Sequence, residues 1–460
     1  MNTLLLALRN LLRNRRRSII TLLAMVIGLG AILIFGGYSA NVIYGLETGA
    51  VQRSGHLQIQ RKDYFLYGSS TPAAYGIADY QRIIDLVKRD PVLAPMLTVV
   101  TPTLELGGIA GNFAAGVSRS VIASGVVVEE RNQMLLWNDY GNTSYARPLA
   151  LAGTSQDAVV IGTGVARVLQ LCGPLKVSDC RPAPAKAQGE QVPDDIAALS
   201  ALEKPELAAA AETRIEMLAA NAHGAPNVAS LNVVKAENVG YKEYDDVYLA
   251  MHLAQAQRLI FGAEPPQVTA IMLQLQHTSQ MAAAKARLEQ LLASTLKTEA
   301  LEVQKFETLN PIFGQTVGFM ASVFTFIAAL IGVIVLFTIG NTMSMAVVER
   351  TVEIGTLRAI GLRRSGIRRL FLCEALLLGV IGTAIGVLAA LLVAFLINHS
   401  GLSWTPPGYV YAYPIRIRIW GDLRLLFGSA IGLTLVTLIS AWWPANRASK
   451  MMIVDALRHV

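Results

Sequence analysis

Charge is what this chain is short of. Asp, Glu, Lys and Arg make up 15% of its 460 residues, where a soluble globular domain typically carries about 25%. The shortfall comes from concentrated apolar segments in a composition that is 53% hydrophobic. That excludes a simple soluble fold and makes this a membrane protein. Nucleotide and hydrolase motifs are missing too. No G-x-x-x-x-G-K-[ST] stretch occurs, so the chain has no P-loop for ATP and would need a separate ATPase. Neither H-E-x-x-H nor G-x-S-x-G occurs, and the six His, at 56, 223, 252, 277, 399 and 459, are scattered. No catalytic residue and no metal site is therefore expected. The formal net charge of +7 would suit nucleic acid, but the basic residues cluster beside the apolar segments. Topology and contact with anionic lipid explain them better, so no nucleic-acid partner is expected.

A membrane span needs roughly 20 apolar residues. Four runs qualify: about Ser18–Ala40, Val317–Val348, Leu370–Ile397 and Leu425–Trp443. With their flanks they set spans at 18–45, 313–348, 370–398 and 424–444. Ahead of the first, residues 1–17 place Leu4, Leu5, Leu8, Leu11 and Leu12 on one face and Arg9, Arg13 and Arg15–Arg17 off it. This reads as an interfacial helix. A cleaved signal peptide competes with that reading. The apolar run is too long for an h-region and Gly36-Gly37-Tyr38 is a poor cleavage context, which favours a retained anchor.

The charge bias of the loops sets orientation. The N-terminus, loop 349–369 and tail 445–460 lie inside; residues 46–312 and loop 399–423 lie outside. Arg416, Arg418 and Arg424 run against the bias, but Trp404, Tyr409, Tyr411, Tyr413 and Trp420 form an aromatic belt around them. Gly314/Gly318, Gly382/Gly386 and Gly428/Gly432 have the spacing that permits close helix packing. Glu374, one turn into the third span, needs a cation or water. Arg368 and Arg369 are its nearest candidates in sequence, and an ion pair is favoured over a proton site.

The most informative stretch is E-R-T-V-E-I-G-T-L-R-A-I-G, Glu349 to Gly361, between the second and third spans. Val347, Ile354 and Leu357 form an apolar stripe at helical spacing beside Glu349, Arg350, Glu353 and Arg358. Gly361 suits a C-cap, and Ser365 is a candidate start for the next helix. That is the form of a lever that docks on a cytosolic partner. On residue types alone, a basic loop that only fixes topology remains open.

The order E-R-x-x-E-I-G-x-L-R-A-x-G resembles the coupling loop of the FtsX/MacB/LolC–LolE superfamily of ABC transporter permeases. The resemblance implies that Glu349, Arg350, Glu353, Ile354, Leu357, Arg358 and Gly361 couple the chain to a cytosolic ABC ATPase. It implies a second permease chain, identical or a paralogue, with ATP and Mg bound by the ATPase and no cofactor on this chain. It also implies an α-helical membrane protein with four transmembrane helices and an α+β periplasmic domain between helices 1 and 2, in the inner membrane.

The outer segment is large enough for its own core. Ser54–Tyr64, S-G-H-L-Q-I-Q-R-K-D-Y, alternates like a strand and resembles the opening strand of the LolC/LolE branch. That favours lipoprotein or other lipidated cargo, with MacB-like peptide or toxin efflux as alternative, or FtsX-like control of a cell-wall hydrolase; a periplasmic carrier or adaptor would fit as partner. Val99–Glu130 reads as strands broken at Pro102 and Gly107-Gly108. Ala158–Leu171 reads strand, turn, helix; its Gly162-x-Gly164 lacks the third glycine of a dinucleotide site. Gly240–Asp246 reads as a turn, Tyr248–Leu259 as helix, Val268–Leu275 as strand and Met281–Ser294 as amphipathic helix. Asp245 and Asp246, with no third ligand evident, are turn residues. About 172–229 departs from the family pattern: a Pro-rich loop, then an Ala-rich helix at Ile196–Asn221, reads as an insertion. Cys172 and Cys180 bracket a loop at its root and are expected to pair, while Cys373 sits in the third span.

Overall fold

The computed structural model describes residues 3–13, 15–68, 71–142, 147–177, 213–240, 242–405 and 411–453. They divide into two compact units: one of residues 1–44, 315–404 and 414–460, the other of 45–314 and 405–413.

The first unit is helical. It holds α1 (Thr3–Arg13) and most of α2 (Arg15–Ser54), and, after the intervening domain, three further helices long enough to span. These are Pro311–Glu349, Arg364–His399 and Leu423–Lys450, at 39, 36 and 28 residues. At about 1.5 Å per residue, α2 alone is about 60 Å long, roughly twice a bilayer's hydrocarbon core. Helix therefore continues past the apolar run to Ser54, where the sequence suggested the start of a strand. Met25, Leu29 and Leu33 pack against Val335, Ile339, Ala375, Leu378 and Leu433. Of the three glycine pairs, Gly382 and Gly386 make a close contact: a Cβ there would meet Met25 at 3.0 Å and Leu29 at 3.1 Å. Open space lies beside Gly314, Gly318, Gly428 and Gly432. Arg418 donates its backbone N–H to Gly37 and lays its guanidinium 5.4 Å from the Tyr44 ring centre, which accommodates one of the arginines that defy the charge bias.

The second unit is α+β. Its elements are β1 (Leu57–Arg61), α3 (Tyr64–Tyr67), α4 (Tyr80–Arg89), β2 (Leu97–Asn112), β3 (Val117–Val126) and α5 (Val128–Leu135). Then follow β4 (Ala158–Gly162), α6 (Thr163–Val168), β5 (Arg214–Ala220), β6 (Pro226–Glu237), α7 (Lys242–Asp245), β7 (Tyr248–His252) and α8 (Leu253–Phe261). The last are β8 (Ala270–Leu275), α9 (Met281–Ser294), β9 (Leu301–Lys305) and α10 (Phe306–Leu309). The nine strands run β3-β7-β4-β6-β5-β2-β8-β1-β9, and an added β2–β3 pairing closes six of them into a ring. Leu106, Val121, Ile161, Met217, Leu231 and Met251 point into the core. The long hairpin strand β2 serves both the ring and the β8–β1–β9 wing, because it is 16 residues long.

Several sequence readings change here. β2 runs unbroken through Pro102 and Gly107-Gly108. Gly108 is there for close approach, since a Cβ would come 2.7 Å from the Leu218 carbonyl of β5. Tyr248–His252 is a strand, not the start of a helix, because its buried residues pair with both β3 and β4. Arg214–Ala220, expected as the end of an Ala-rich helix, is β5: alternating burial of Ile215, Met217 and Ala219 suits a strand between β2 and β6. Part of the supposed insertion is thus integral sheet; its residues 178–212, with Cys180, lie outside the described residues, as does Tyr409. Cys373 is a free cysteine. A Cys172–Cys180 clip remains a proposal. Mass spectrometry of non-reduced peptides, with free thiols blocked first, should recover the two linked; both recovered alkylated would refute it.

Asp245 is more than a turn residue. It is 2% exposed and accepts from Thr163 and Gly164 backbone N–H groups, at 3.1 and 2.7 Å, and from the Thr163 hydroxyl. The carboxylate caps α6. A Cβ at Gly162 or Gly164 would collide with Asp245 or Asp246, so Gly-x-Gly here admits neighbouring backbone rather than a dinucleotide.

Candidate coupling site

Between the second and third long helices, α11 (Pro311–Glu349) and α13 (Arg364–His399), lies α12 (Thr351–Ala359). Its C-terminus follows from sequence. Gly361 has φ +105°, and the N–H groups of Gly361 and Leu362 donate to Arg358 and Leu357 at 3.1 and 3.0 Å. That is a Schellman ending, in which only glycine is comfortable at the left-handed position. The next helix is capped by Arg363 and begins at Arg364, ahead of Ser365.

The apolar stripe turns inward. Ile354, 3% exposed, packs with Val347, Ile367, Phe371, Ala445 and Ala448, and Leu357 and Leu362 close the cluster. Val347 and Ile367 come from the ends of α11 and α13, and Ala445 and Ala448 from the end of α14 (Leu423–Lys450). The stripe expected to fill a partner's groove is therefore spent on this chain's own core. An amphipathic helix between two apolar helix ends buries its stripe there first, because the local surface is already at hand.

Arg350 is likewise turned inward. It is 7% exposed, its Nη1 donates to Glu374 Oε1 at 2.8 Å, and its Nη2 donates to the Asn10 carbonyl at 3.3 Å. Asn10 Nδ2 donates to the same carboxylate oxygen at 2.6 Å. Glu374, 2% exposed, thus finds its cation in Arg350 and not in Arg368 or Arg369. Arg368 instead stacks 5.4 Å from the Trp442 ring centre. Three segments, α1, the start of α12 and α13, meet on one carboxylate. Sequence reading missed Asn10, which lies on the side of α1 away from its leucine face.

Glu349 and Glu353 remain at the surface, paired with Arg17 and Arg13. Arg358 donates to the Met451 carbonyl. Opposite the buried stripe, Val352, Thr356, Ala359 and Ile360 are exposed, Ile360 at 79%. Their spacing is that of one helical face. Of the seven residues expected to couple, Glu349 and Glu353 are on offer to a partner, Leu357 and Arg358 are half-buried, and Arg350 and Ile354 are internal braces. Gly361 ends the helix. Among the described residues no group of three or more His, Cys, Asp or Glu is placed to hold a metal.

Residues 323–453, which contain α12 and its braces from α11, α13 and α14, match the FtsX-like permease C-terminal family. The chain is 27% identical over 222 residues to the macrolide export ATP-binding/permease protein MacB of Rhodopirellula baltica, covering 48% of this chain and 30% of that protein. It is 35% identical over 141 residues to the ABC transporter permease YtrF of Bacillus subtilis, covering 29% of this chain and 30% of that one. For MacB of Neisseria meningitidis the figures are 29% over 187 residues, 41% and 27%. The match spans less than a third of each relative's length. The described residues thus hold four membrane-length helices, and the part of the chain that contains the last three of them is similar to permeases of the FtsX/MacB type.

Proposed function

We propose that the chain is the membrane half of a machine whose ATP is bound and hydrolysed by a separate cytosolic ABC ATPase, with a second permease chain beside it. The chain itself does no catalysis. In this reading the basic N-terminus and α12 lie in the cytoplasm, the spans cross the inner membrane, and residues 46–312 work in the periplasm. The observation that carries it is the clamp on α12. A helix fixed at one end by Arg350–Glu374–Asn10 and at the other by a Schellman turn moves as one body with α11 and α13. A push on its exposed face is then delivered to the helices rather than lost in a loop. Residues 45–54 of α2 and 311–314 of α11 belong to the outer domain.

The cargo is the finer part of the reading. β1 keeps the alternation that favours lipidated protein, released on the outer face. Efflux of a peptide or other small cargo is the second reading, favoured by relatives named for macrolide export. An FtsX-like regulator of a hydrolase is the non-transport alternative.

Purification of the chain from its native membrane should bring down, in stoichiometric amount, a protein that carries a P-loop, and the pair should hydrolyse ATP. A chain that isolates without any ATPase under mild detergent, and gains none on adding the neighbouring gene product, counts against the proposal.

A further inference from the structure

The cations at the adjoining ends of α13 and α14 have no acid to meet. At this end of the helical unit the described carboxylates are Glu349, Glu353 and Glu374, and these pair with Arg17, Arg13 and Arg350. Arg364, Arg368 and Arg369 on α13, and Arg447 and Lys450 on α14, form no ion pair among the described residues. Two of these arginines lie on tryptophan instead. The guanidinium carbon of Arg368 is 5.4 Å from the Trp442 ring centre, and that of Arg447 is 5.9 Å from the Trp443 ring centre. The first pair joins one helix to the other. Both indoles are exposed, at 54% and 65%.

A guanidinium anchored on an indole keeps its N–H donors for an acceptor, and a phosphate takes two of them at once. Among the described residues no acceptor meets those of Arg368. An apolar track leads away from the pair. Leu372 and Leu376 follow Arg368 at four-residue steps, which keeps them on its side of α13. On α14, Ile431, Leu435 and Ile439 lead at the same step to the two tryptophans and are exposed, as is Leu376. From Ile431 to Trp442 the helix rises about 16 Å, the depth of one leaflet of the hydrocarbon core. Cations therefore cap a strip of membrane depth.

We propose that this strip holds one anionic phospholipid, its phosphate on Arg368 and its acyl chains along Leu376, Leu435 and Ile439. Arg364, one turn back on α13, adds a second cation at the level of the headgroup. A zwitterionic lipid fits less well, because it brings an ammonium of its own and the carboxylates at this end are already paired. A headgroup such as phosphatidylglycerol carries only the negative charge. The exposed tryptophans suit the same depth, since an indole is apolar in body and has one N–H for the polar layer. The lipid would bridge α13 and α14, the two helices whose ends also seat Ile354 of α12. The inference rests on these helices spanning a membrane and on neither the cargo nor the ATPase.

Native mass spectrometry of the full chain tests it, with the protein released from micelles that contain phosphatidylglycerol and phosphatidylcholine of matched acyl chains. The wild type should retain phosphatidylglycerol over phosphatidylcholine by about tenfold, from two basic residues near one headgroup. Arg368→Gln should lower that preference about fivefold, the share of one basic residue at the surface. Trp442→Leu keeps every charge, removes the anchor of Arg368 and should lower the preference as well. Arg16→Gln removes one exposed charge from the start of α2 and should leave it within about twofold of wild type. Melts in phosphatidylcholine alone should be alike for all four proteins, and phosphatidylglycerol should raise the midpoint of the wild type and of Arg16→Gln only. A wild type without preference, or equal losses in Arg368→Gln and Arg16→Gln, would mean diffuse attraction and overturn the proposal. So would a Trp442→Leu variant that folds and retains the lipid as wild type.

Discussion

Arg350→Ala is expected to destabilise the helical unit by about 3–5 kcal/mol, the range for breaking one partner out of a buried ion pair. The cost is mostly the charge left behind. Glu374 would stay 2% exposed with only the Asn10 amide for company. Glu374→Ala should cost a similar amount for the mirror reason, since it leaves a buried guanidinium whose Nε already lacks a partner. Removing both charges together, as Arg350→Met with Glu374→Leu, should recover most of the loss, because well-packed apolar pairs often equal or exceed a buried ion pair. Denaturant unfolding of the full chain in detergent measures all three. Hydrogen exchange along α1 adds a readout, because Asn10 ties that helix to the same carboxylate. A single variant within about 0.5 kcal/mol of wild type would place it among ordinary surface changes and dissolve the clamp.

How legible this was in the sequence depends on range. The four long helices, the charged helix between the second and third, and its glycine stop were readable because each is a local pattern. So were β4 followed by α6 and the helix at Met281–Ser294. What failed was long-range. Glu374 had two arginines a turn or so away in sequence, yet it pairs with one 24 residues away and an asparagine 364 away. Neither partner carries a sequence mark that distinguishes it. Ala-rich composition around residues 196–221 argued for helix, but the stretch Arg214–Ala220 lies between β2 and β6, and tertiary pairing overrode propensity. Tyr248–His252 fell the same way. The stripe on α12 was seen correctly and given to the wrong occupant. Periodicity reports that a face is apolar and is silent on whether the chain or a partner covers it.

That distinction sets up the remaining prediction, which separates stability from coupling on α12. Among the described residues, exposed Glu353 pairs with exposed Arg13. Its reversal, Glu353→Arg, should therefore change stability by no more than about 1 kcal/mol. If Glu353 also lies at the centre of the ATPase interface, the same change should cost about 2–5 kcal/mol of association, as for a charge partner lost from a buried contact. Ile360→Asp tests the exposed face directly: at 79% exposure it should leave folding alone and weaken docking. Leu357→Asp behaves differently, because its carboxylate would enter the cluster of Ile354, Ile367 and Phe371 and loosen α12 from its supports. The measurements are a melt of each variant, ATPase co-purification and ATP-dependent function. The expected pattern is normal melts with poor coupling for Glu353→Arg and Ile360→Asp, and a lowered melt for Leu357→Asp. Should the two surface variants both hold the ATPase and work as wild type, α12 would be a topological anchor only, and the coupling role would have to lie elsewhere in the chain.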